Sequence, residues 1–232
     1  MAHKKFRQQE NAFIAEGSKV VTDLLVSENF ACKIICANRT WISENRGLTE
    51  KFPLDSVIEI TGPQLKKISL LSSPGEVFAV FEKNETHIIP EKQISIMLDE
   101  IRDPGNLGTI IRIADWFGVK NIICSEDCVD CYNPKVVQAT MGSLGRVNIL
   151  YTNLDDFLRN HIISMYAATL GGKNIHEFGK IREGIILIGN ESKGIKEKLL
   201  ATSAGRITIP GRGKAESLNA AVACGIILSH VV

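Results

Sequence analysis

The stretch Ile185-Ile186-Leu187-Ile188-Gly189-Asn190-Glu191-Ser192-Lys193-Gly194 decides the fold. An apolar run without alternation leads into glycine and asparagine, the pattern of a strand covered on both faces that ends in a tight turn. Outward from it, the same pattern recurs. Apolar runs at Ile94–Leu98, Asn121–Cys124, Val147–Leu150, Ser164–Thr169, Gly184–Ile188 and Arg206–Ile209 alternate with helical stretches. The helices are expected at Leu107–Phe117, Pro134–Thr140, Leu154–His161, Gly194–Ser203 and Ser217–Val232. Such an alternation predicts an α/β domain, a parallel sheet sandwiched by helices. Loops at the ends of its strands are where ligand sites are built.

Upstream the elements are shorter. Strand-like runs at Ala12–Ala15, Lys33–Ala37, Val57–Ile60 and Glu76–Phe81 surround helical stretches at Ser18–Ser27 and Trp41–Glu50, which predicts a separate small α/β domain. The polar, strand-poor stretch Glu82–Lys92 reads as a linker. The expected division is therefore a first domain at 1–84, a linker at 85–92 and a larger domain at 93–232.

The 232 residues are 44% hydrophobic, ample for a packed core, and carry a net charge of only +1. A polyanionic partner must then meet a local basic patch, with candidates at His3-Lys4-Lys5-Phe6-Arg7 and from Arg206 to Lys214. The longest uncharged stretch, Ser217–Val232, is shorter than the roughly 20 apolar residues of a membrane span. Met1–Phe6 lacks an apolar signal core, so no membrane and a cytoplasmic location are expected. Among the six cysteines, Cys124, Cys128 and Cys131 have the C-x3-C-x2-C spacing of radical AdoMet enzymes, but Asp130 stands where those enzymes usually carry an aromatic. Structural cysteines around a strand end are the simpler reading, and no metal is expected.

Three segments stand at predicted strand ends: Asn106-Leu107-Gly108-Thr109-Ile110-Ile111-Arg112, Gly189-Asn190-Glu191 to Gly194, and Ile209-Pro210 followed by Glu216-Ser217-Leu218-Asn219. Singly, each has a plain explanation. Asn106 is placed as a helix N-cap, Arg112 as a surface arginine and Ser217 as another cap. No G-x-x-x-x-G-K-[ST], G-x-G-x-x-G or G-x-S-x-G occurs and the histidines are scattered, so nucleotide, hydrolase and metalloenzyme readings lack support. The last helix, with Ala220, Ala221, Ala223 and Gly225 among Val222, Ile226, Ile227 and Leu228, is apolar nearly all round and is expected to be buried or to meet a second subunit.

In this order, N-x-G-x3-R, then G-N-E-x2-G, then I-P with E-S-L-N, the segments resemble the three motifs of the SpoU-type RNA ribose 2′-O-methyltransferases of the SPOUT superfamily. Phe13-Ile14-Ala15-Glu16-Gly17 and Pro74-Gly75-Glu76-Val77 are similar to that family's RNA substrate-binding domain, whose fold is like some ribosomal proteins. The resemblance implies a trefoil-knotted, AdoMet-dependent methyltransferase domain behind a small RNA-binding domain, assembled as a homodimer through the C-terminal domain. It implies that AdoMet is held by Thr169, Leu170, Gly171, Gly189, Asn190, Ile209, Leu218 and Asn219. Arg112 is the implied catalytic residue, with Asn106, Glu191, Ser217 and Asn219 orienting it, the loops and the ribose. The implied substrate is a ribose, a guanosine's among the candidates, in structured RNA, ribosomal before transfer RNA. A non-catalytic RNA-binding module on the same fold is the alternative. Ala220-Ala221 departs from the Val-Ser that often follows the asparagine, which trims polar packing without removing an implied catalytic group.

Overall fold

A computed structural model describes residues 1–86, 88 and 90–232. His87 and Ile89, inside the expected linker, lie outside the described residues. The strands are β1 (Ala12–Glu16), β2 (Cys32–Ala37), β3 (Val57–Glu59), β4 (Val77–Glu82), β5 (Ile94–Leu98), β6 (Asn121–Ser125), β7 (Asn148–Thr152), β8 (Met165–Asn174), β9 (Gly184–Ile188) and β10 (Gly205–Thr208). The helices are α1 (Lys4–Gln9), α2 (Ser18–Ser27), α3 (Arg39–Glu44), α4 (Arg46–Thr49), α5 (Gly62–Ile68), α6 (Pro104–Trp116), α7 (Pro134–Thr140), α8 (Leu154–Asn160), α9 (Glu197–Ala201) and α10 (Ala220–Val231).

Packing divides them into two units, Met1–Glu85 with Asp130–Arg146, and Thr86–Val129 with Val147–Val232. The segment 130–146, expected in the second domain, therefore packs in the first unit. Two contacts explain this. Phe13 on β1 lies against Phe30, Phe81 and Tyr132, with centroids 5.1, 5.5 and 4.8 Å away. Arg7 on α1 is only 2% exposed and donates through Nε (3.0 Å) and Nη2 (2.7 Å) to Asp130, and through Nη1 to the carbonyls of Met1 and Ala2. Arg7 thus leaves the basic cluster in which its sequence neighbours placed it.

The first unit's sheet has the order β1-β4-β2-β3, antiparallel except for the β2–β3 pair. Helix α2 covers it with Val20, Val21, Leu24 and Leu25, the spacing that puts side chains on one helical face. Helix α5 was not expected. It buries only Leu65, so it carries no apolar period, but Thr61 N–H donates to Gln64 Oε1 (2.8 Å) in a capping box and Pro63 occupies the first turn.

The second unit's sheet is the expected parallel one, in the order β10-β8-β9-β5-β6-β7. Every residue of β6 and β9 is buried, which is why their sequences do not alternate. From β5 the chain moves outward through β6 and β7, then β8, β9 and β10 form on the other side. The order therefore reverses between β5 and β9, the position where open parallel sheets leave a crevice beyond their C-terminal ends. Helix α10 returns to pack on α6; a Cβ on Gly225 would lie 3.4 Å from Ile113.

Strand β8 runs five residues beyond its expected end, with an interruption. Its register against β10 jumps from Ala167↔Arg206 to Lys173↔Ile207, so residues 168–172 bulge out. Thr208 Oγ1 secures the bulge, donating to Thr169 O (3.0 Å) and accepting from Gly172 N–H. Gly172 is required here because a Cβ would sit 2.5 Å from the Arg206 carbonyl oxygen.

Removing the carboxylate of Asp130 leaves the buried Arg7 charge without its partner. Asp130→Ala is therefore expected to lower the urea unfolding free energy by about 3 kcal/mol, whereas Lys19→Ala, which removes a surface pair with Asp23, is expected to lower it by less than about 1 kcal/mol.

Candidate active site

The site begins where β5 leaves the sheet. Asp99 N–H still donates to Ile188 O (2.9 Å), but Glu100 turns into the left-handed region at φ +57. For a non-glycine residue that costs about 1 kcal/mol or more and persists only where surrounding contacts impose it. They do so here. Glu100 N–H donates to Ser125 Oγ (2.9 Å), Ile101 N–H to Cys128 Sγ (3.3 Å), Val129 N–H to Ile101 O (2.9 Å) and Asn190 Nδ2 to Glu100 O (2.8 Å). Hydrogen bonding with Cys124, then with Ser125 and Ile101, outweighs burial and brings the Cys128 thiol down to about 7. Cys128 thus serves the backbone turn that leads from β5 to the first segment.

Helix α6 is capped by Asp103, whose Oδ1 accepts from Asn106 N–H (2.8 Å), with Pro104 in its first turn. Asn106 is therefore not the N-cap, and its side chain reaches outward instead. Its Nδ2 donates to Glu191 Oε1 (2.5 Å), and its Oδ1 accepts from Asn219 Nδ2 (2.8 Å). One residue from each of the three segments is joined in this chain of amides and carboxylate. Arg112 stands outside it, exposed and about 9 Å further along α6.

The second segment is a closed turn. Asn190 and Gly194 exchange both backbone hydrogen bonds (3.0 and 2.9 Å), and Asn190 Oδ1 accepts from the amides of Ser192 and Lys193. Gly194 adopts φ +71, where a side chain would be strained, and a Cβ on Gly189 would lie 2.6 Å from the Gly194 carbonyl carbon, so Gly189 leaves no room for one. Helix α9 starts at Glu197 instead of Gly194, because Lys196 is held back: its N–H donates to Asp99 Oδ2 (2.9 Å), and its Nζ lies 3.2 Å from Asp99 Oδ1 and 3.0 Å from Glu100 Oε1. The hydrogen bond from Lys196, aided by the Lys196, Lys193 and Arg102 charges, holds the Glu100 carboxyl below its usual range despite desolvation. Desolvation alone would lower the Lys196 ammonium; its bonds to Glu100 and Asp99 raise it instead.

In the third segment Asn219 caps α10, its Oδ1 accepting from the amides of Ala221 (3.0 Å) and Val222 (3.2 Å). The helix begins at Ala220 and not at Ser217, which lies exposed outside it and caps nothing. Ile209 is half-buried and Leu218 exposed. Since Ala167 pairs with both Leu187 and Arg206, the bulge, the turn after Ile188 and the segment after Thr208 all leave the same edge of the sheet. In the bulge, Leu170 is 74% exposed, Gly171 is exposed, and Thr169 Oγ1 is buried without a hydrogen-bond partner. An unpaired buried hydroxyl, backbone groups of 169–171, 189, 209 and 218, and two exposed leucines fit an adenosine-bearing ligand. Among the described residues no group of three or more His, Cys, Asp or Glu could hold a metal ion, and no helix is long and apolar enough to cross a membrane.

Asp103, Glu100, Lys196 and Thr208 escaped the sequence reading. An acid just before Pro104 is a helix-start signal that could have revealed Asp103. The other three act through pairings that no local pattern encodes.

Residues 93–229 match the model of the SpoU rRNA Methylase family. The chain belongs to this family. Its residues 1–79 match the MRM3-like substrate binding domain. This SpoU-family chain is 26% identical over 235 residues to the 23S rRNA (guanosine(2553)-2′-O)-methyltransferase RlmP of Bacillus subtilis, covering 98% of this chain and 91% of that one. It superposes on a TrmH-family protein of Porphyromonas gingivalis (TM-score 0.85, 33% identity, 99% and 92% covered). It likewise matches an AdoMet-bound rRNA methyltransferase of Sinorhizobium meliloti (TM-score 0.88, 31% identity, 99% and 90% covered).

In this SpoU-family site Asn219 has two tasks, capping and bridging, whereas Asn106 has only the second. Asn219→Ala is thus expected to lower unfolding free energy by about 1 kcal/mol, and Asn106→Ala by less than half as much, as read from paired urea titrations.

Proposed function

We propose that the protein transfers the methyl group of S-adenosyl-L-methionine to a ribose 2′-hydroxyl of a structured RNA, ribosomal RNA before transfer RNA. The observation that carries this reading is the Glu191–Asn106–Asn219 chain, which gathers the three family segments at one place. Thr169, Leu170, Gly171, Gly189, Asn190, Ile209, Leu218 and Asn219 are the residues we assign to the cofactor, mainly through backbone groups. When bound, AdoMet supplies an activated methyl on a sulfonium. The protein must then align the ribose oxygen behind that methyl and accommodate the loss of its proton.

Arg112 is assigned to this second task. A guanidinium stays protonated at any working pH, so its role is to stabilise the developing alkoxide, while the hydroxyl proton leaves to an RNA phosphate oxygen or to solvent. Asn106, Glu191, Ser217 and Asn219 are positioning residues, with Ser217 the one that the free chain leaves unengaged in capping. The outer face of α10, where Val222 and Ile226 are 50% and 37% exposed, supports a homodimer in which a second subunit covers apolar surface near the site. The return of 209–219 from the sheet's edge to α6 is the crossing we assign to the trefoil knot. A cytoplasmic enzyme is the corresponding location.

Ribosomal RNA is preferred because the SpoU-family match comes with the MRM3-like substrate binding domain over 1–79. The neighbour described for 2-OH methylation of C/U34 on tRNA covers only 60% of this chain, with a TM-score of 0.55.

Labelled AdoMet and total RNA from an undermodified strain test the reading. Wild-type protein is expected to methylate ribose, and Arg112→Ala to lose about 10²–10³ in kcat with AdoMet affinity retained. If wild type binds RNA and AdoMet yet incorporates no methyl, the non-catalytic module replaces the enzyme.

A further inference from the structure

We propose that Lys196 is a positioning residue for AdoMet binding: it clamps the far end of the cofactor turn 189–194 to Asp99 and Glu100, the strained exit of β5 that leads into the Arg112 segment. The inference rests on the assignment of that turn to the cofactor. The turn is tethered at both ends, to Glu100 at the near end and to Asp99 and Glu100 at the far end. At its near end Asn190 Nδ2 donates to Glu100 O (2.8 Å), and Asn190 Oδ1 organises the next two amides. At its far end Lys196 donates its N–H to Asp99 Oδ2 and sets its ammonium 3.2 Å from Asp99 Oδ1 and 3.0 Å from Glu100 Oε1. Asp99 is 1% exposed, so its charge needs this partner.

A turn that presents backbone groups to a ligand has no side-chain adjustment with which to absorb displacement, and about half an ångström matters in such a site. Fixing both ends to Asp99 and Glu100 supplies the required rigidity. A purely architectural role, fastening α9 to the sheet, is the rival. Lys198 separates the two, because it fastens α9 through Asp155 (2.5 Å) without touching either segment.

Calorimetric titration with AdoMet, steady-state methyl transfer and amide hydrogen exchange on the free chain form the test. Lys196→Met is expected to weaken AdoMet binding about tenfold or more, to raise KM for AdoMet with KM for RNA unchanged, and to accelerate exchange at residues 190–196. Lys196→Arg is expected to restore binding to within about threefold, and Lys198→Met to leave it unchanged. Should Lys196→Met fail to fold, Asp99→Asn combined with Lys196→Met removes the buried charge and takes its place. Unaltered affinity in the Met variant, equal weakening by Lys198→Met, or no rescue by arginine overturns the clamp. A wild type that does not bind AdoMet overturns the cofactor assignment and the clamp together; a wild type that binds beside an unaffected Lys196→Met overturns the clamp alone.

Discussion

A central strand of a parallel sheet must release its chain from a place where water cannot satisfy the backbone. Strand β5 meets this constraint at Asp99, Glu100 and Ile101, between β9 on one side and β6 on the other. Leaving a buried N–H or C=O unpaired would cost about 1–3 kcal/mol each, comparable to the strain of Glu100's left-handed backbone. The end of β6 and the connection after it answer with Ser125, Cys128 and Val129, and the connection after β9 with Asn190. Three loops that are far apart in sequence therefore share one hydrogen-bonded turn.

From that turn the division of labour follows. Because Asp103 caps α6, the Asn106 side chain is released to link Glu191 and Asn219. Because β8 bulges against β10, backbone groups of 169–171 face the same edge as Gly189. Backbone surfaces suit a cofactor that never changes, and Arg112 stands exposed outside the chain of partnered side chains. The nearby polar side chains of Glu191, Asn106 and Asn219 already partner one another.

Several elements are legible in the sequence alone. Ile185–Ile188 announced a strand covered on both faces, and the helix expected at Pro134–Thr140 is α7, capped by Asn133, whose Oδ1 accepts from Lys135 N–H (2.9 Å). Others were signalled only by their caps and not by an apolar period. Helix α5 rests on a capping box and buries one leucine; α10 begins three residues later than its apolar composition suggests, since Asn219, not Ser217, receives the first amides. Arg7 reads as one more surface cation until Asp130, distant in sequence, buries it.

By itself, the sequence determined the class of fold, the order of the strands along the chain and the three segments that matter, because hydrophobic period and turn chemistry act locally. Tertiary structure alone decided that β9 inserts beside β5, that 130–146 packs with the first unit, and that Lys196 and Thr208 secure loops named for other residues. Strand neighbours and buried ion pairs are chosen by the free energy of the whole packed unit, where desolvation and partner geometry compete. No window of adjacent residues carries that sum.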